Sequence, residues 1–298
     1  MKKNQTASSS TTQQQLLERI QSTRRFMAKI GSNKIACTEQ NLVHSNWIRK
    51  FVASLTTLQR EFSLTSSGAI SLERVLGNRP PPQSTAEKQA YAAFGQIRLM
   101  ELYQQAFLPH GMKAAQVLVT KNSLTTEDGF RNIQGTMEAI RKLGGITIAN
   151  ENDTVATDEI RFGDNDTLSA FAAAADGADT LILITDVNGL FTGNPKINSN
   201  AQHLPVIDII TNDIILAASG PIGDHSCGGM ETKLEAARIA ARYGIDTFII
   251  NGTSENCLRA FFNGNSQCTL IHHSAFQNFQ NDPRPLKTIA THTAAYSQ

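Results

Sequence analysis

The sequence predicts an α/β protein, a three-layer α/β/α sandwich built around a mainly parallel central sheet. Three observations carry that reading. Strand-like and helix-like segments alternate along the chain, which argues for βα units. The segments "DTLILIT" and "DTFII" are unbroken apolar runs, as expected for strands covered on both faces. Polar clusters recur at or just beyond the ends of strand-like runs, where open α/β sheets assemble their sites.

Taken in order, "FMAKI" (26–30) is a short strand that runs into Gly31. Residues 39–60 place Leu42, Val43, Trp47, Phe51, Val52, Leu55 and Leu58 at helical spacing, and "EFSLT" then leads into "SSGA". After the Pro-rich break at 80–82 a long helix covers about 85–108 and closes at Gly111. "AAQVLVT" is a strand, 129–143 a helix ended by Gly144, and "GITIANEND" a strand ending in polar groups. "TVATDEIRF" alternates as a β-ribbon strand would. A polar knot of Asp164, Asn165 and Asp166 stands directly before an alanine-rich run, and residues 219–244 carry a glycine-containing loop into an amphipathic helix.

Both ends differ from the middle. Residues 1–22 open on polar low-complexity sequence that buries too little apolar area to offset its ordering entropy, so they are expected to be a disordered tail. Their Ser and Arg content also fits a mitochondrial presequence. Residues 276–298 lack any period and read as a second tail, leaving 23–275 as the folded domain.

Composition narrows the function classes. With 298 residues, 40% hydrophobic and 18% charged, the chain can bury a large core. Its formal net charge of +1 gives no global attraction to nucleic acid or to an anionic membrane, so any phosphate chemistry must come from a local site. No apolar run reaches the ~20 residues of a membrane span, and the N-terminal residues show no signal-peptide h-region. The expected location is the cytoplasm. The four cysteines form no C-x-x-C pair, and His225 with Cys227 makes no ligand set without a further pair. Neither a disulfide framework nor a protein-held metal is expected.

The polar clusters are Lys29 to Gly31, Ser66 to Gly68, Asn150 to Asp153, and Thr185 with Asp186. A carboxylate at the tip of a buried strand costs little where the strand ends at a ligand-filled crevice, and much where it ends in the core. In 219–244 the backbone N–H groups and the positive helix end would face an anion, with Lys233 about one turn inside. The spacing fits neither the P-loop nor the dinucleotide fingerprint.

Read together, "AKIGSNKI", "TSSGAI", "EKQAYAAFGQIRLM", "ANENDTVAT", "FGDNDTLSA", "LILITDVNGLFT" and "CGGMETKLEAA" resemble the glutamate 5-kinase family of the amino acid kinase superfamily, from about residue 25 to about 272. The C-terminal PUA domain of many bacterial members is not expected in a chain of this length. The resemblance implies ATP- and Mg²⁺-dependent phosphorylation of the γ-carboxylate of L-glutamate, the first step of proline biosynthesis. It further implies feedback inhibition by L-proline, a homo-oligomer, and handover of product to glutamyl-phosphate reductase.

Residue roles follow from the same resemblance. Lys29 and Lys233 would contact the transferring phosphoryl group from two sides, with Asp166 holding both ammonium groups. Gly31 and Gly68 would let backbone amides approach phosphate and substrate. Ser67, Gly68, Asp153 and Asn165 match glutamate-binding positions, Asp153 suiting the α-ammonium. Lys29, Gly31, Thr185, Asp186 and the stretch Cys227, Gly228, Gly229, Met230, Glu231, Thr232 and Lys233 match the nucleotide side. The substrate part would be about 23–160 and the nucleotide part 161–275. Where the family commonly has Gly-Thr-Ser, this chain has Gly31-Ser32-Asn33, and Cys227 replaces a hydroxyl residue, a poorer hydrogen-bonding group. Two alternatives stay open: a related kinase acting on another carboxylate such as N-acetylglutamate, and a non-catalytic regulator that binds amino acid and nucleotide.

Overall fold

The computed structural model describes residues 3–156, 165–195, 197–219 and 229–279. It begins with helix α1 (Lys3–Ser22), where the sequence predicts disorder. The correction has a tertiary cause. Polar residues give this helix little stability of its own, but Ile20 is buried and Leu16 packs on the same core, so docking supplies what propensity does not.

Strand β1 (Arg25–Ile30) follows, then a 3₁₀ turn (Ser32–Lys34), and a two-residue ribbon of β2 (Ala36–Cys37) and β3 (Leu42–Val43). Helix α2 (Ser45–Leu55) therefore starts later than the apolar spacing suggests, because Leu42 and Val43 pair with Cys37 and Ala36. Strand β4 (Glu61–Ser66) leads through Gly68 into α3 (Ala69–Leu76), a helix the sequence reading did not anticipate. Helix α4 (Thr85–Phe107) is capped by Ser84, whose hydroxyl accepts from the Glu87 N–H. Next come β5 (Lys113–Val119), α5 (Lys121–Thr125), α6 (Glu127–Lys142) and β6 (Gly145–Glu151). Gly144, between α6 and β6, has φ +75°, the left-handed stop that its position suggests.

In the second half, α7 (Asn165–Asp176) and β7 (Thr180–Thr185) precede three two-residue strands, β8 (Leu190–Phe191), β9 (His203–Leu204) and β10 (Val206–Ile207). Helices α8 (Asn212–Ser219) and α9 (Met230–Ala241), strand β11 (Asp246–Asn251), helix α10 (Cys257–Phe262) and strand β12 (Cys268–Ile271) complete the domain. Phe276, where the C-terminal tail was expected to begin, is fully buried at the end of a 3₁₀ turn; residues 280–298 lie outside the described set. Of the expected ribbon strand "TVATDEIRF", residues 154 and 155 lie in a turn and 157–162 fall outside the described residues.

Eight strands form one sheet in the order β10-β12-β11-β7-β1-β4-β6-β5. All of its pairings are parallel except β11 with β12. β1 lies between β4 and β7, so the chain first builds outward on one side of β1 and then on the other. Strand periodicity divides the core into two layers. Phe26, Ala28, Ile30, Ile182 and Ile184 face a layer containing α2 and α4, while Met27, Leu181 and Leu183 face one containing α6, α7 and α9. The two layers on either side of the sheet make the three-layer sandwich that the apolar runs predict.

Helices α3 and α4 approach closely. A methyl group on Gly95 of α4 would lie 1.8 Å from the Ala69 carbonyl oxygen at the start of α3. Gly95→Ala is expected to force the helices apart and cost roughly 1–3 kcal/mol, as overpacking does. Gly135, exposed on α6, meets nothing within 4 Å, so Gly135→Ala should stabilise by roughly 0.5–1 kcal/mol. Thermal midpoints of the two variants against the parent check the pair; equal shifts would contradict the close α3–α4 approach.

Candidate active site

The parity that sorts the core also aims Lys29. It shares the face of Met27, toward α7 and α9, and near the carboxyl end of β1 its stem finds polar partners there rather than more core. Asp166 enters from the first turn of α7, where the positive end of the helix favours a carboxylate. Lys233 enters from α9, one turn after its start at Met230.

The three charges meet. Lys29 Nζ lies 2.7 Å from Asp166 Oδ1, and Lys233 Nζ lies 3.0 Å from Asp166 Oδ2. The single hydroxyl proton of Thr232 is shared between Asp166 Oδ2, 2.9 Å from Oγ1, and the Gly229 carbonyl, 2.8 Å from it. Asp166 is completely buried and both lysines nearly so. Burial alone would raise the Asp166 carboxyl, but the two ammonium groups outweigh it and hold the group below the usual carboxylate range.

A cavity of about 410 Å³ opens beside this group, within the ~300–1,000 Å³ of small-ligand sites. Lys29, Gly31, Ser67, Gly68, Asp153, Asn165, Thr185, Asp186 and Lys233, all singled out in the sequence, line it. Four strand ends supply most of the wall: β1, β4, β6 and β7. Gly68 has φ +109°, and a Cβ there would lie 2.7 Å from Ile35 Cβ, so the turn that starts α3 has no room for a side chain.

A chain of hydrogen bonds fixes the β4 and β6 side. Tyr103 donates to Ser66 Oγ at 2.8 Å, and Asn165 Nδ2 donates to Ser67 Oγ at 2.7 Å and to Asn150 Oδ1 at 2.9 Å. Asn150 Nδ2 in turn donates to Gln96 Oε1 at 2.9 Å. Burial pushes the Tyr103 phenol up, so it remains a donor at neutral pH.

Part of the sequence expectation falls elsewhere. Cys227, Gly228 and Asp164 lie outside the described residues. Met230 packs into the α7–α9 core rather than onto the cavity, and Thr232 serves Asp166. Glu231 sits in the first turn of α9 and does not line the wall. Asn150 and Glu151, from the polar cluster expected at the end of β6, line it too, and so do residues not singled out: Lys34 and, on the unanticipated helix α3, Ile70 and Ser71. The signal for Ile70 and Ser71 was available: a glycine followed by an apolar-periodic run.

No histidine is among the described residues lining the cavity. The arrangement therefore suits chemistry that needs positive charge near an anion rather than a neutral general base. Among the described residues the cluster of three potential metal ligands, Asp246, His272 and His273, lies at the other end of the sheet, at the start of β11 and just after β12. Also among the described residues, no helix is long and apolar enough to cross a membrane.

Comparison with known proteins gives a consistent picture. The pattern of the amino acid kinase family matches residues 15–251. The glutamate 5-kinase of Paracoccus denitrificans is 44% identical over 244 residues, covering 80% of this chain and 65% of that protein. That of Geobacter sulfurreducens is 39% identical over 251 residues, covering 83% and 67%. The chain thus spans about two thirds of the length of these relatives. Among solved structures, an isopentenyl phosphate kinase in complex with its substrate superposes with a TM-score of 0.60 at 18% identity, covering 84% of this chain and 100% of that one.

Because Asp166 is held below its ordinary value, its stabilising contribution is complete above about pH 4, the unfolded-state range for Asp, and is lost as pH falls toward the depressed native value. Asp166→Asn leaves two buried ammonium groups without their shared partner, a class of change that costs about 3–5 kcal/mol. Denaturant unfolding should show that deficit at pH 7 and a narrowing gap between variant and parent below pH 4. An Asn variant as stable as the parent at pH 7 would contradict the buried pairing.

Proposed function

The chain belongs to the amino acid kinase family, among the glutamate 5-kinases, and from that premise we propose that it transfers the γ-phosphoryl group of ATP to the γ-carboxylate of L-glutamate. The product is L-glutamyl 5-phosphate, the first intermediate of proline biosynthesis. The observation that carries the reading is the Lys29–Asp166–Lys233 group beside the cavity.

The chemistry fits these residues. A glutamate side chain, with a reference pKa of ~4.3, is already ionised at neutral pH, so its oxygen attacks phosphorus without a base. The obstacle is repulsion between that carboxylate and a polyphosphate, and two ammonium groups approaching from β1 and α9 reduce it. As the new O–P bond forms, the bond to the ADP oxygen breaks and negative charge collects on that oxygen, where the ammonium groups of Lys29 and Lys233 would offset it. Asp166 keeps both in place and, by cancelling one charge, stops them repelling each other.

Substrate and nucleotide take opposite sides of β1. Asp153 would pair with the α-ammonium, and Ser67, Gly68 and Asn165 would position the rest of glutamate; Gly31, Thr185, Asp186 and the start of α9 would serve the nucleotide. This corresponds to a substrate part over about 23–160 and a nucleotide part over 161–275. Mg²⁺ would arrive on the phosphates, its usual mode, with few protein ligands. L-proline shares the α-carboxylate and ammonium of glutamate, and so would compete for Asp153 as a feedback inhibitor. The acyl phosphate is reactive, which favours direct handover to glutamyl-phosphate reductase. A cytoplasmic homo-oligomer is the working assembly.

Incubation with ATP, Mg²⁺, L-glutamate and hydroxylamine should yield γ-glutamyl hydroxamate, with N-acetylglutamate a poor substrate because it offers Asp153 no ammonium. Equal turnover of the acetylated compound would move the assignment to a related kinase. Lys233→Ala should lower kcat and kcat/KM together by ~10²-fold or more, the effect of losing one charged donor from a water-poor site. A folded variant that keeps most of its turnover would remove Lys233 from the mechanism. Millimolar L-proline should shift the glutamate saturation curve to higher concentration, and an unmoved curve would exclude this control.

A further inference from the structure

The cavity wall contains a third lysine. Lys34 closes the 3₁₀ turn after β1, its N–H donating to the Gly31 carbonyl at 3.0 Å, and its side chain lines the cavity on the β7 side with Thr185 and Asp186. The stem lies over the joined ends of two strands. Lys34 Cε is 3.6 Å from where a Gly252 side chain would begin, and the Gly252 N–H donates to the Thr185 carbonyl at 2.8 Å.

That position is costly for an ammonium group. A lysine in a surface turn ordinarily keeps its head in water, but Lys34 is half-buried, and burial lowers its pKa. Two neighbours act in the opposite sense, Cys257 and then Asp186. Burial pushes the Cys257 thiol up to about 12, so it is neutral at pH 7 and Asp186 is the one of the two that carries charge. A long cation held half-desolvated on a cavity wall gains most when an anion fills the cavity.

We propose that Lys34 is a third cationic ligand of the nucleotide's polyphosphate, acting from over the ends of β7 and β11 while Lys29 and Lys233 act from beside Asp166. This rests on the kinase reading of the same cavity. Two observations assign it to the phosphates rather than to the amino acid. First, Ser67, Asn150 and Asp153 belong to strands or loops on the far side of β1, whereas Lys34 sits over β7 and β11. Second, Lys29 and Lys233 share the Asp166 carboxylate, so part of their charge is already offset, and a triphosphate carries more negative charge than the remainder balances. Asp186 acts against the effect of burial on this ammonium group.

Lys34→Met keeps the stem and removes the charge. Calorimetric titration of the whole chain should show ATP, with Mg²⁺, binding about tenfold or more weakly, a loss on the scale of one charge-assisted hydrogen bond. AMP, which lacks the β and γ phosphates, and L-glutamate should bind as they do to the parent. Lys34→Arg should retain most ATP affinity, and Lys34→Gln, as a second neutral variant, should repeat the Met result if Met lowers the melting temperature. Unchanged ATP affinity in the neutral variants, or a loss that falls on glutamate instead, overturns the proposal. Hydroxamate formation by the parent reports on the kinase reading separately: a parent that turns over while its Met variant binds ATP normally overturns only the role of Lys34, and a parent that binds no ATP overturns both.

Discussion

Burying a carboxylate between two ammonium groups is unfavourable unless all three stay paired, because desolvation of each ion is offset only by close contact with its partners. Asp166 is fully enclosed, with Lys29 at 2.7 Å and Lys233 at 3.0 Å. Much of the surrounding architecture keeps those distances. β1 sits between β4 and β7 in the sheet, so Lys29 starts from a backbone bonded on both sides. α7 and α9 pack on each other, both bring buried alanines to the same core, and their polar first turns converge on Lys29. Small residues there act on charge geometry as much as on packing.

The same logic explains why the two carboxylates of the site differ. Asp166 is placed where water cannot reach, and it needs cations on both oxygens. Asp186 follows β7 into the open crevice, is exposed, and takes a hydrogen bond from the neighbouring Thr185 hydroxyl at 3.3 Å. One carboxylate organises fixed charge inside the protein, while the other stands in the wall of the cavity. The Tyr103–Ser66 and Ser67–Asn165–Asn150–Gln96 bonds do for the neutral side what Asp166 does for the charged side, tying β4, β6, α4 and α7 together at their ends. A buried polar network of this kind specifies one arrangement, since any shift would leave amide groups unpaired.

Much of this was legible in the chain itself. β1, β7 and β11 were readable because unbroken apolar runs ended in polar groups or glycine, and Lys29, Asp166 and Lys233 because "AKIG", "GDND" and "GGMETK" resemble the family's motifs. What was not legible depended on contacts distant in sequence. Helix α1 looks like a polar tail, since only Leu16, Leu17 and Ile20 are apolar in its last two turns and their partners come from elsewhere in the chain. Leu42 and Val43 fit a helical period yet pair in a ribbon, because a hairpin with Ala36 and Cys37 satisfies their backbone first. Lys34 is a lysine in a turn, and nothing local marks it as facing a cavity; only the closure of β11 against β7 puts Gly252 beneath its stem.

The division of the site about β1 is a consequence of chain order. After β4 the chain places β5 at the sheet edge and returns with β6 between β5 and β4, before β7 pairs on the opposite side of β1. The crevice above β1 is therefore bounded by two sets of loops that were built separately and can differ in charge. On the β6 side they carry Glu151 and Asp153, and on the β7 side Lys34 and Asp186, with Lys29 and Lys233 between. A substrate bearing an ammonium group and a polyphosphate would each meet the wall that complements it, and their reacting ends would meet over the two lysines. A symmetric wall of one sign would hold one partner well and repel the other. The reversal of strand order at β1 thus supplies, without any special local motif, the charge asymmetry that transfer between two anions requires.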